Sequence, residues 1–176
     1  MTFQNIPLQN GVDFYGSEIP GAFLTSVPHN IDTFNFGSTL PDNAILPYGT
    51  AVVYDSLPDG GVKIPVALQT VVADIAGFIP YKNGGIMEDG GFKKGGLYTS
   101  VPVLNFGRIF VRVTAGKTLR VGDIPFLNLA PGSNFNTITD QSPLPSSFEI
   151  NLSFIASVAE DSRNGVVALT IKQYLK

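Results

Sequence analysis

One histidine occurs in the chain, His29, directly after Pro28 in an irregular, aromatic-rich stretch. A general base needs a positioned partner, and a single imidazole in a loop reads as a solvated side chain rather than a proton carrier. A Ser-His-Asp arrangement would have to use the same residue, and no Gly-x-Ser-x-Gly elbow is present. Cysteine is absent, which removes disulfides, thiolate metal sites and a Cys nucleophile together. Zinc would then need carboxylates for nearly every ligand. Glu88, Asp89 and Asp123 could offer oxygens to calcium, but the twelve-residue ligand spacing is missing and Asp89-Gly90 has the chemistry of a tight turn. Gly116-Lys117-Thr118 matches the tail of a phosphate-binding loop, yet Val111 stands where that motif requires its first Gly. The stretch from Gly84-Gly85 to Gly95-Gly96, with Lys93-Lys94 inside, lacks the following helix that would hold a phosphate. Nothing singles out a glycosidase-type carboxylate pair among the 14 acidic residues. The residues therefore assign no catalytic, cofactor-binding or metal-ligating position, and the expectation is a non-enzymatic protein.

The bulk properties narrow the partners. A chain of 176 residues is enough for one ordinary domain. Net charge is −3 with 11 Lys and Arg spread thinly, which argues against a domain that grips nucleic acid through its phosphates. No apolar run of about 18 residues is present, so no membrane span is expected. The start Met1-Thr2-Phe3-Gln4-Asn5 lacks the basic and apolar regions of a signal peptide, so synthesis in a cytoplasm is expected. Charged residues make up 14% of the chain, against about 25% in an average domain. So few charges suit either a surface covered by partners or a β-protein coated with Ser, Thr, Asn and Gly.

The elements that would carry any site are short. The 19 Gly and 13 Pro are scattered as punctuation, with runs of period two between them. Phe148 to Val158 reads as one strand, with Phe148, Ile150, Leu152, Phe154, Ala156 and Val158 inward and Ile155 out of pattern. Val166 to Leu175 reads as the last strand, joined to it by a polar loop, Glu160 to Gly165, that ends in Asn-Gly. Arg108 to Val113 alternates with Ile109, Val111 and Val113 inward, and Leu119 with Val121 suggests a further strand ended by Gly122-Asp123. Thr50 to Tyr54 is followed by a Pro58-Asp59-Gly60-Gly61 turn and a returning face of Val62, Ile64, Val66 and Leu68, with Pro65 marking an edge or bulge. Val66 to Ala76 is read as strand for its β-branched content. The pattern predicts an all-β protein: a single compact β-barrel or jelly-roll-like domain over residues 41–176, preceded by an extended N-terminal arm over residues 1–40.

The arm is rich in aromatics. Phe3, Phe14, Tyr15, Phe23, Phe34 and Phe36 are the candidate anchors for a partner protein, against the alternative that these rings pack on the chain's own domain.

Taken in order, Gly16-Ser17-Glu18-Ile19-Pro20-Gly21-Ala22-Phe23, then Leu46-Pro47-Tyr48-Gly49-Thr50-Ala51-Val52-Val53-Tyr54-Asp55, Ile75-Ala76-Gly77-Phe78-Ile79, Gly107-Arg108-Ile109-Phe110-Val111 and Leu119-Arg120-Val121-Gly122-Asp123 resemble the structural cement (decoration) proteins of tailed phages. The likeness runs over most of the chain and is carried by glycine turns and hydrophobic positions. It implies an N-terminal arm before a compact β-domain, no catalytic residues, no cofactor, and a place on the outer capsid surface of a virion assembled in a bacterial cytoplasm. Implied partners are the major capsid protein and sister copies in a dimer or trimer, with no direct nucleic acid and no membrane. The competing reading is a carbohydrate- or receptor-binding β-domain of a virion or surface appendage.

Overall fold

The computed structural model describes residues 19–23, 26–55, 60–81, 90–96, 99–140 and 148–172. Among these the chain is built of β-strands and one short 3-10 turn, with no α-helix. The strands are β1 (Asn30–Asn35), β2 (Ile45–Pro47), β3 (Ala51–Tyr54), β4 (Val62–Lys63), β5 (Ile75–Phe78), β6 (Gly91–Lys93), β7 (Ser100–Arg112), β8 (Phe126–Asn128), β9 (Thr137–Thr139), β10 (Glu149–Asn151), β11 (Ala156–Arg163) and β12 (Val166–Ile171). The large sheet runs β11-β12-β7-β5-β3-β4, with β1 also paired to β7; β10-β8-β9 and β2-β6 form two smaller sheets. All pairings between these strands are antiparallel.

β7 organises the fold. Its first half pairs with β1 and touches β5 through Leu104 and Phe78, and its second half pairs with β12 from Gly107 to Arg112. Successive side chains of a strand point to opposite faces, and here both faces are covered. Val101 and Val103 of β7, Val52 of β3 and Ala76 of β5 face one core, which also holds Leu46, Val62, Ile79 and Phe92. Leu104, Ile109 and Val111 of β7, Ala51 of β3 and Phe78 of β5 face a second core with Leu127, Ile138, Leu152 and Leu169. β3, β5 and β7 are thus a wall between two cores, which explains why Ala51-Val52-Val53 and Ala76-Gly77-Phe78 are apolar runs rather than alternations. Gly77 sits at φ 147 with the β7 backbone where a Cβ would stand, so no larger residue fits the wall there.

Several elements differ from the sequence reading, each for a local reason. The run from Phe148 to Val158 is two strands. The Asn151 side chain accepts from the Ser153 N–H at 2.8 Å, and the Ile155 and Ala156 N–H groups both donate to the Leu152 carbonyl. This turn breaks the alternation locally: Ile155 is buried and Phe154 is 75% exposed, while Leu152, Ala156 and Val158 stay inward. The polar link from Glu160 continues β11 as far as Arg163, and only Asn164 (φ 49) and Gly165 (φ 77) form the turn, the left-handed pair a tight hairpin demands. Leu119 is buried, but Val121 lies in an exposed turn closed by Asp123, which accepts from the Arg120 N–H at 2.7 Å. β4 stops at Lys63, two residues before Pro65; residues 66–71 form a loop, and Val72–Asp74 is a 3-10 turn leading into β5.

Candidate partner interface

No group of three or more His, Asp or Glu side chains among the described residues is placed to hold a metal ion. His29 is exposed, with Nδ1 3.0 Å from the Val27 carbonyl oxygen and its ring 5.3 Å from that of Phe23. Asp123 serves its own turn, and Glu88 and Asp89 lie outside the described residues.

The candidate anchors divide by position. Phe3, Phe14 and Tyr15 lie outside the described residues. Phe23 bridges Ile109 of β7 and packs on the core that holds Leu104 and Leu169, while the neighbouring Gly21 and Ala22 exchange backbone hydrogen bonds with Phe110. Phe34 and Phe36 pack on the other core, Phe34 edge-on to Tyr54 at 5.8 Å and Phe36 bridging to Val62. All three rings are half-buried, and they sit over two different cores rather than forming one patch. This segment is fastened further by Gly21 and Gly49, whose backbones pack so closely that a Cβ on either would lie under 3 Å from the amide nitrogen of the other.

β1 is exposed at four of its six positions. Its polar side chains meet β7: the Asn30 amide donates to Asn105 Oδ1 at 2.9 Å, and the Asn105 amide donates to Asp32. Directly after β3, within the β3–β4 hairpin, Asp55 is buried. Its carboxylate accepts from the Thr39 N–H (3.1 Å), the Thr39 hydroxyl (2.8 Å) and the Lys63 ammonium (3.2 Å). Burial alone would raise this carboxyl, but the hydrogen bonds from Thr39 and the charge of Lys63 outweigh it and hold Asp55 below its ordinary range.

Two exposed apolar surfaces were not legible as such in the sequence. Phe154 stands at the β10–β11 turn, next to the segment carrying Ile124, because the Leu152 N–H donates to the Pro125 carbonyl. The second is the loop after β4, where Val66, Leu68 and Val71 are 44%, 67% and 57% exposed. Pro65 and the Asn151-x-Ser153 spacing are the signals that could have revealed them, since each interrupts a ladder.

Compared with solved structures, the fold matches a chain of "The capsid of Myoviridae Phage XM1" with a TM-score of 0.73 and 20% sequence identity, over 99% of this chain and 100% of that one. No protein-family model and no curated protein matches the sequence.

Proposed function

We propose that this chain is a non-enzymatic structural protein of a phage virion that binds the outer capsid surface as a decoration protein and stabilises the shell by bridging neighbouring major capsid proteins. The observation that carries the reading is the end-to-end match in fold to a chain of a phage capsid structure. The low charge content agrees with it, because a surface with 14% charged residues is suited to being covered. A protein that binds the mature shell better than its precursor stabilises that shell by linkage. Many modest contacts repeated around a lattice add up through multivalency. In this reading Phe3, Phe14 and Tyr15, with the exposed parts of Phe23, Phe34 and Phe36, contribute anchors, and sister copies associate as dimers or trimers on a symmetry axis.

Co-sedimentation with undecorated mature phage heads tests it, comparing the full chain with a version lacking residues 1–18. The truncation ends there because Gly21 to Phe23 and β1 belong to the β7 pairing. Saturable binding that weakens on truncation supports both the role and the arm anchors. Saturable binding untouched by truncation keeps the role and moves the contact to the β-domain. A folded protein that does not bind heads overturns the proposal in favour of a glycan- or receptor-binding domain.

A further inference from the structure

Among the described residues, the non-glycine positions with positive φ are Asn43, Leu68, Asn136 and Asn164. Asparagine visits the left-handed region readily because its short polar side chain bonds locally. Leucine does not, so Leu68 at φ 67 is a strained exception, and it is also 67% exposed. Neither core burial nor turn chemistry explains why a branched apolar residue occupies this position.

The surrounding loop holds that conformation firmly. The Thr70 hydroxyl accepts from the Val66 N–H at 2.9 Å and lies 3.0 Å from the Val66 carbonyl, to which the Gln69 and Thr70 N–H groups also donate. Asp74 accepts from the Val71 N–H at 3.2 Å. At the roots, Ala67 and Val72 are tucked against one core and Ile64 against the other. The Thr70 hydroxyl and the Asp74 carboxylate are turned onto the loop's own backbone, while Gln69 is exposed beside the exposed side chains of Val66, Leu68 and Val71. Residues 66–71, Val-Ala-Leu-Gln-Thr-Val, carry no charge.

Strain that the surroundings over-determine is characteristic of binding loops, where it pre-organises a contact. We infer that the loop at residues 66–71 is a pre-formed plug whose Leu68 side chain inserts into an uncharged apolar pocket of a neighbouring shell protein. This rests on the capsid-binding reading above and names the contact that reading needs. The charge-free tip selects an apolar protein pocket over a polyanion or a charged groove.

The test uses the full chain carrying Leu68→Asn, which suits the left-handed backbone and removes the apolar side chain, beside Leu68→Met. Binding to undecorated heads, the unfolding midpoint and the sedimentation of the free protein are read for each. The expected result is a Leu68→Asn protein whose unfolding midpoint is unchanged or raised, bound about 30-fold more weakly, the equivalent of losing one buried leucine. Leu68→Met should retain most of the affinity. Wild-type binding with Leu68→Asn bound equally well overturns the plug and leaves the capsid role standing. A Leu68→Asn protein that changes its self-association in the absence of heads assigns the tip to a second copy and overturns the shell-protein partner. Wild type that does not bind heads overturns both readings together.

Discussion

The side chain of Asn136 completes the backbone ladder of Ala51. The Ala51 N–H donates to Asn136 Oδ1 at 3.0 Å, and Asn136 Nδ2 donates to the Ala51 carbonyl at 2.9 Å. Both residues are buried, 85 positions apart in the chain, and the amide takes the place of one residue of a neighbouring strand. It thereby joins the β8–β9 hairpin to the wall between the cores.

Asn136→Ala should therefore be costly. It leaves a buried donor and a buried acceptor without partners, and it places alanine at φ 59. The expected loss is about 3 kcal/mol, or a fall in unfolding midpoint of about 6–12 °C for a chain of this size. Asn136→Asp retains an acceptor for the Ala51 N–H, lacks a donor for its carbonyl and buries a charge, so it should be at least as damaging. Thermal unfolding of both variants beside wild type checks the order.

Asp55 gives the fold a dependence on acid. Its folded pKa is held below its unfolded value, so its contribution is fully present above the unfolded pKa of about 3.9 and is lost as pH falls through the folded value. Asp55→Asn should lower stability by about 2 kcal/mol at neutral pH, the scale of hydrogen bonds to a charged group, and should flatten the decline of stability between pH 5 and the acid limit. Urea midpoints measured from pH 7 to pH 3 on both proteins give the comparison. A D55N profile parallel to wild type would contradict it.

Gly49→Ala should disturb two segments at once. The added Cβ meets the Gly21 nitrogen and the Pro20 backbone and ring, at a residue held at φ 73. A loss of about 2–3 kcal/mol is expected from left-handed strain plus crowding. Amide exchange should report the damage at Tyr81 as well, whose N–H donates to the Gly21 carbonyl.

Phe154 and Ile155 should respond in opposite ways to the same change. Phe154→Ser removes an exposed side chain and should shift stability by less than about 0.5 kcal/mol. Ile155→Ser empties a core position and adds an unpaired hydroxyl, and should cost about 3 kcal/mol or more. A single continuous strand would give the reverse order, so the pair distinguishes the two registers directly.

Those two residues also mark where the sequence was readable. Strands that alternate, such as Arg108 to Val113, and turns with special chemistry, such as Asn164-Gly165, were legible because each rests on a local rule. The all-β class followed from many such pieces. The inversion at Phe154 was not legible because the apolar pattern on both sides of it stays in phase, and the break is made by hydrogen bonds within the turn, from the Ser153 N–H to Asn151 Oδ1 and from the Ile155 and Ala156 N–H groups to the Leu152 carbonyl. The loop over residues 66–71 escaped for a similar reason: its β-branched residues favour a strand, while Pro65 and the Thr70 bonds to Val66 win. The aromatic segment was recognised, but its pairing with β7 depends on contacts about 70 residues away that no local pattern encodes.

A wall with a core on each face leaves neither core able to melt alone. Removing β3, β5 or β7 from one side strips the other, so heat or denaturant should disassemble both in a single cooperative step, with calorimetric and van't Hoff enthalpies in agreement. That all-or-none character means a load applied at any one point of the described domain is resisted by both cores together.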